Sequence, residues 1–180
     1  ENYKFVLEEC NKLIKKYPYN PFFYNLCGLA LQKSNNIDNS IKYFSKSIDL
    51  DKNNIAAINN LANSYKAMSK LDIAEQLYLK ALKINPEYIH ALTNYGNLKQ
   101  HVGKFNDSIK LYLKAIEINP NKINILFSLA SAYQETGNFK KSKEIANKIL
   151  ILEPKNTSVH KLLSSIINYK DENDHLIHME

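Results

Sequence analysis

Three prolines, Pro86, Pro120 and Pro154, stand 34 residues apart, and the step is not confined to proline. Ser40, Ala74, Ser108 and Ser142 keep it, as do Gly28, Ala62, Gly96, Ala130 and Ser164. Phe44, Tyr78 and Tyr112 follow it, and so do Leu71, Phe105 and Phe139. Pro18 lies two periods before Pro86, with Lys52 at the position between them. A recurrence of this length means an array of supersecondary units, none of which can bury its apolar face without a neighbour.

The periodicity inside each unit is helical. Ile58, Leu61, Ala62 and Tyr65 fall at i, i+3, i+4 and i+7, and Ala74, Leu77, Tyr78, Ala81 and Leu82 repeat that spacing. Each period therefore holds two amphipathic helices of roughly 13 residues. The prolines come just after the second helix, where they block its continuation. Gly28, Ala62, Gly96 and Ala130 are small enough to let the two helices approach closely. Ser40, Ala74, Ser108 and Ser142 are their expected partners across the crossing.

Residues 55–88, IAAINNLANSYKAMSKLDIAEQLYLKALKINPEY, resemble the tetratricopeptide repeat at nearly every signature position. The resemblance implies an all-α fold, a right-handed superhelical solenoid of helical hairpins (an α-α superhelix) of about ten helices without strands. In this register the full repeats are 21–54, 55–88, 89–122 and 123–156. Residues 1–20 fit the second helix of an earlier repeat, with Tyr3, Val6, Cys10, Leu13 and Pro18 at its signature places. Residues 157–180 fit a partial repeat or capping helix leading to a downstream region. Neither end carries the polar cap that a solenoid needs, so the chain is expected to be part of a longer protein. Apolar edges at Val6, Leu13, Leu163, Ile166 and Ile167 are expected to promote end-to-end self-association.

Composition narrows the function. The formal charge is +6, but every basic residue is Lys and none is Arg, the preferred side chain for bidentate phosphate and guanine contacts. No nucleic-acid partner is expected. No apolar run approaches a membrane span, and the first residues have no signal-peptide core, so no membrane association and a cytoplasmic location are expected. Cys10 and Cys27 lack a CxxC spacing and fall at core positions, as packed thiols. His175 and His178 are three apart but need further ligands to hold a metal. His90 and His101 suit ligand contact better than catalysis. Tyr65, Tyr78, Tyr95, Tyr112 and Tyr133 occupy repeat-core positions, and Lys42, Lys46, Lys80, Lys110, Lys114 and Lys148 face outward on second helices. No nucleophile, base and oxyanion donor share a face, so the chain is expected to be no enzyme and to bind no cofactor or metal.

The resemblance also implies where a ligand would lie. In the family, positions 2, 5, 6, 9, 12 and 13 of each first helix line a concave groove that binds a protein or an extended peptide. Carried over, these are Phe22, Asn25 and Leu29; Asn59, Asn60, Asn63 and Lys66; His90, Thr93, Asn94, Asn97, Gln100 and His101; Asn124, Phe127, Ser128, Ser131, Gln134 and Glu135; then Lys161 and Ser165. The strongest candidates are Asn25, Asn60, Asn63, Lys66, His90, Asn94, Asn97, His101, Phe127 and Ser128.

Asn60 and Asn94 share position 6, and Asn63 and Asn97 share position 9. Asn is a poor helix former, so its recurrence has two readings. One is a row of amides able to pair with a peptide backbone, similar to the asparagine ladder of O-linked N-acetylglucosaminyl transferases. The other is an AT-rich coding sequence expressed on a solvent-facing surface. The carboxylate clamp of chaperone-tail binders fits poorly, because Asn59, Asn124 and Ser128 stand where its cations belong.

The function expected is a protein-interaction scaffold. The alternative is the non-catalytic recognition arm of a larger transferase of sulfotransferase or glycosyltransferase type. It rests on HKLLSSIINYKDENDHLIHME (160–180), which resembles the junction of bacterial repeat arrays with a sulfotransferase domain.

Overall fold

The computed structural model describes residues 3–166. Among these are ten α-helices and no strand: α1 (Tyr3–Lys16), α2 (Pro21–Lys33), α3 (Ile37–Leu50), α4 (Ile55–Ala67), α5 (Leu71–Ile84), α6 (Ile89–His101), α7 (Phe105–Ile118), α8 (Ile123–Glu135), α9 (Phe139–Leu152) and α10 (Thr157–Ile166). The all-α helical-repeat architecture expected from the period is the one observed. The chain divides between Asn94 and Tyr95 into two compact units, and the division falls inside α6.

The first helix of every full repeat stops in the same way. Asn35, Ser69, Gly103 and Gly137 adopt positive φ, at 63°, 59°, 74° and 74°. Just past each, an N–H reaches back five residues: Asn36 N to Leu31 O at 2.8 Å, Lys70 to Tyr65 at 2.9 Å, Lys104 to Lys99 at 2.8 Å and Asn138 to Tyr133 at 2.8 Å. This is the Schellman closure, which pairs an orphan carbonyl at the cost of one left-handed residue. Glycine takes that conformation freely, Asn with some penalty and Ser with more.

Second helices stop by extension instead. Asn85, Asn119 and Glu153 have φ near −136° and precede prolines, which disfavour helical backbone in the residue before them. Asp51 precedes Lys52 yet adopts the same backbone, φ −140°, its carboxylate accepting from Asn53 N–H at 3.0 Å as the Asn85 amide oxygen does from Glu87 N–H at 2.9 Å. Several asparagines start helices. Asn20, Asn54 and Asn138 accept from Phe22, Ala57 and Lys141 N–H at 3.0, 3.0 and 3.3 Å.

In the first unit the core gathers Phe44, Ile48, Ala57, Ile58, Leu61, Ala81 and Ala91. The Phe44 ring lies over Gly28, where an added Cβ would stand 2.5 Å from the ring, so the small residue there is a requirement of the crossing. Ser40 and Ser64 are fully buried and share a hydrogen bond at 2.9 Å. Cys10 of α1 and Cys27 of α2 are buried free thiols. Burial raises both pKa values, that of Cys27 to about 12.

In the second unit Leu126, Ala130, Ala146, Ile149, Val159, Leu162 and Leu163 form a core cluster. The Ser142 hydroxyl donates to the Ala130 carbonyl at 2.8 Å, a direct contact between the two small positions of one hairpin.

Two expectations about the surface change. Leu163, expected on an exposed apolar edge, is only 2% exposed and packs into the second core. Val6, Leu13 and Ile166 are half-buried, while Ile167 lies outside the described residues. The large apolar side chains that α1 exposes are Tyr3 and Phe5. The repeat-core tyrosines and the outward lysines stand where the period put them: Tyr78, Tyr95, Tyr112 and Tyr133 are buried, Tyr65 is half-buried, and the six lysines are exposed.

Candidate functional site

The candidate residues fall in both units. Asn25, Asn60, Asn63, Lys66, His90 and Asn94 belong to the first; Asn97, His101, Phe127 and Ser128 belong to the second.

In the first unit three candidate asparagines join through a fourth. Asn94 Nδ2 donates to Asn59 Oδ1 at 3.0 Å, and Asn60 Nδ2 donates to Asn25 Oδ1 at 3.0 Å. A looser bond of 3.4 Å from Asn59 Nδ2 to Asn60 Oδ1 connects the two pairs. The result is a row of side-chain amides, Asn94 to Asn59 to Asn60 to Asn25, crossing α6, α4 and α2. Every bond in it runs the same way. Each amide carries two N–H donors and an oxygen with two lone pairs, so these bonds leave unused capacity at every member. Asn60, Asn94 and Asn25 are half-buried and keep access to solvent. Asn59, expected from the resemblance among the groove residues, is only 4% exposed and acts as the internal joint. The row therefore uses positions 5 and 6 of successive repeats, not 6 and 9.

The position-9 amides face another way. Tyr78 donates its hydroxyl proton to Asn63 Oδ1 at 2.5 Å, and the Tyr112 hydroxyl donates to Asn97 Oδ1 at 2.7 Å. Both tyrosines are fully buried, and burial raises their pKa values. Asn63 and Asn97 thus supply acceptors to core hydroxyls within their own hairpins. In the repeat where Phe44 replaces the tyrosine, Leu29 replaces the asparagine. In the one with Ala146 there, the residue is Ser131. Aromatic hydroxyl and amide occur together and are lost together, as expected for a hydroxyl that needs a partner when buried.

Lys66 lies in the last turn of α4, beyond Asn60 and Asn63. It is half-buried, and burial lowers its pKa. His90 is exposed, its ring edge-on to Tyr88 at 5.4 Å. In the second unit His101 is exposed, Ser128 donates to the Asn124 carbonyl at 3.0 Å, and Phe127 is half-buried against the core cluster.

Gln32 stands at position 12 of the groove pattern but is not among the candidates named from its repeat. Its Nε2 donates to the Asn60 carbonyl at 3.2 Å and to Ser64 Oγ at 2.8 Å, tying α2 to the helix that carries the row. The available signal was a glutamine recurring at position 12, at Gln32, Gln100 and Gln134.

Among the described residues no group of His, Cys, Asp and Glu could hold a metal ion, and no helix is long and apolar enough to cross a membrane. His175 and His178 lie outside the described residues.

A family model described as psidin, N-terminal TPR repeats region, matches residues 1–97. A TPR repeat model matches 102–137 and a tetratricopeptide repeat model matches 123–156. No curated protein is a significant sequence match. Among solved structures, Pseudomonas aeruginosa pilF is 20% identical over 84% of this chain and 68% of its own, with a TM-score of 0.78. MamA from Desulfovibrio magneticus RS-1 is 16% identical over 88% of this chain and 89% of its own, at 0.76. YrrB, described as a TPR protein with an unusual peptide-binding site, is 16% identical over 96% of this chain and 89% of its own, at 0.75. These likenesses show the fold, an all-α helical-repeat solenoid. None of the matching family models describes a sulfotransferase.

Proposed function

The chain belongs to the tetratricopeptide-repeat family, and from that premise we propose that it is a non-catalytic scaffold that binds an extended polypeptide along the amide row of α2, α4 and α6. The observation that carries the reading is the row itself. Asn25, Asn60 and Asn94 are held in one line by their mutual bonds. Their unused donors and lone pairs match the alternating N–H and C=O groups of an extended backbone. The side chains are ordered before any ligand arrives, which lowers the entropy cost of binding. The peptide-binding site ascribed to YrrB, a protein of the same fold, supports the reading.

Each amide–backbone bond contributes about 0.5–1.5 kcal/mol net, so the row gives modest affinity with little dependence on ligand sequence. Phe22, Leu29 and His90 are the first-unit side chains from which selectivity is expected. The test is selection of random displayed peptides on the whole protein, followed by titration of the best binder. Asn60→Ala/Asn94→Ala should weaken it about tenfold or more while helicity by circular dichroism is unchanged. Equal affinity for wild type and an intact double variant would overturn the reading.

A further inference from the structure

The first helices of the first unit carry no carboxylate. α2 (PFFYNLCGLALQK), α4 (IAAINNLANSYKA) and the start of α6 contain Lys and His but neither Asp nor Glu. Every described Asp and Glu of that unit lies on α1, α3, α5 or a turn. The two sides of the repeat layer therefore differ in charge: mixed on the second helices, cationic and amide on the first.

Lys66 is where this asymmetry bears on a ligand. Lys66 follows Asn60 by six residues on α4, about 120° away round the helix, with Asn63, turned into its own hairpin, between them. The lysine Cα lies about 9 Å along the axis from that of Asn60, at 1.5 Å per residue. Its side chain is half-buried and forms no ion pair with any described residue. Burial alone lowers its pKa, with no acidic neighbour acting against it. A cation withdrawn from water without a counter-charge costs free energy that an incoming carboxylate would recover.

We infer that the partner is an acidic polypeptide segment, which lies on the amide row and presents an Asp or Glu side chain to the Lys66 ammonium. This rests on the groove reading above and adds the chemical class of the ligand. The row crosses the helices whereas Lys66 is displaced along one of them. The carboxylate is therefore reached by a side chain directed toward the C-terminal end of α4, not by the ligand backbone. Because the pair is partly shielded from solvent, moderate salt weakens it less than it would an exposed pair.

The experiment uses the whole protein and random displayed dodecapeptides. Selected peptides should be enriched in Asp and Glu over Lys. An enriched peptide, synthesised with an amidated C-terminus so that only side-chain carboxylates act, is titrated against wild type, Lys66→Gln and Lys66→Arg. Lys66→Gln should lose about tenfold in affinity, the worth of one hydrogen bond to a charged group, and Lys66→Arg should retain most of it. Changing the peptide's Glu to Gln should cost the same, and nothing further in the Lys66→Gln background. Enriched peptides without carboxylates, or equal binding by wild type and Lys66→Gln, would overturn the inference. If those peptides still lose affinity to Asn60→Ala/Asn94→Ala, the amide-row reading stands and only the acidic ligand falls. Sensitivity to Lys66→Gln with indifference to the asparagine variant keeps the acidic ligand and overturns the row. No enrichment overturns both. A single-stranded DNA oligonucleotide bound more tightly than any peptide, with loss in Lys66→Gln, would replace the acidic polypeptide by nucleic acid.

Discussion

The hydroxyl of Tyr78 donates to the amide oxygen of Asn63, fifteen residues earlier in the same hairpin, and Tyr112 repeats the bond to Asn97. The pairing links an apparently surface-facing asparagine to the deepest aromatic of its repeat. Two of the four asparagines that recur in register thereby have a structural duty independent of any ligand. The side chains of the other two, Asn60 and Asn94, bond to fellow amides of the row.

That bond makes the pair energetically coupled. Asn63→Leu alone removes an acceptor from a buried hydroxyl and is expected to cost about 1–3 kcal/mol. Tyr78→Phe alone should cost about 1 kcal/mol. The double variant reproduces the Leu29 and Phe44 combination of the preceding repeat and should be less destabilised than the sum, by about 1 kcal/mol. Urea unfolding of the four proteins checks it. Strict additivity would mean that the hydroxyl is satisfied elsewhere.

The repeated left-handed residue makes a second prediction. Ser69 holds a conformation that Gly103 and Gly137 hold without strain. Ser69→Gly should stabilise the protein by up to about 1 kcal/mol, despite the greater chain entropy of glycine. Gly103→Ala should destabilise it by about 1–2 kcal/mol through backbone strain, since no atom lies within 4 Å of the added Cβ. Thermal midpoints moving in opposite directions would verify the pair, and a fall for Ser69→Gly would count against it.

The thiols impose a pH dependence. Cys10 and Cys27 have folded-state pKa values raised above the ordinary 9.0, Cys27 to about 12. The folded state thus keeps protons that the unfolded state releases. Stability from the neutral thiols is complete below pH 9 and declines as pH rises toward 12. The buried tyrosines, also raised, add to the decline at its upper end. Urea midpoints measured from pH 8 upward should fall, and Cys27→Ala should show a shallower fall. Identical slopes would place the titration elsewhere.

The helical pairs, their order and their core faces follow from the sequence alone, because a 34-residue recurrence of small, aromatic and apolar residues leaves few ways to bury its surface. Tyr78, Tyr112, Ala62 and Ala130 are buried because periodicity reports burial directly. Helical phase also put the asparagines on the first-helix surface. It could not tell which neighbour each amide would choose. An amide reaches equally well into its own hairpin, along its own helix or across to the next repeat. Only tertiary packing turned Asn63 toward Tyr78 and Asn60 toward Asn25. The same packing buried Asn59 at 4% exposure and left Lys66 half-covered without an acid beside it. The physical reason is range: the hydrophobic pattern sums over many residues of one helix, whereas a hydrogen bond is settled within about 3 Å by atoms that the fold brings from distant parts of the chain.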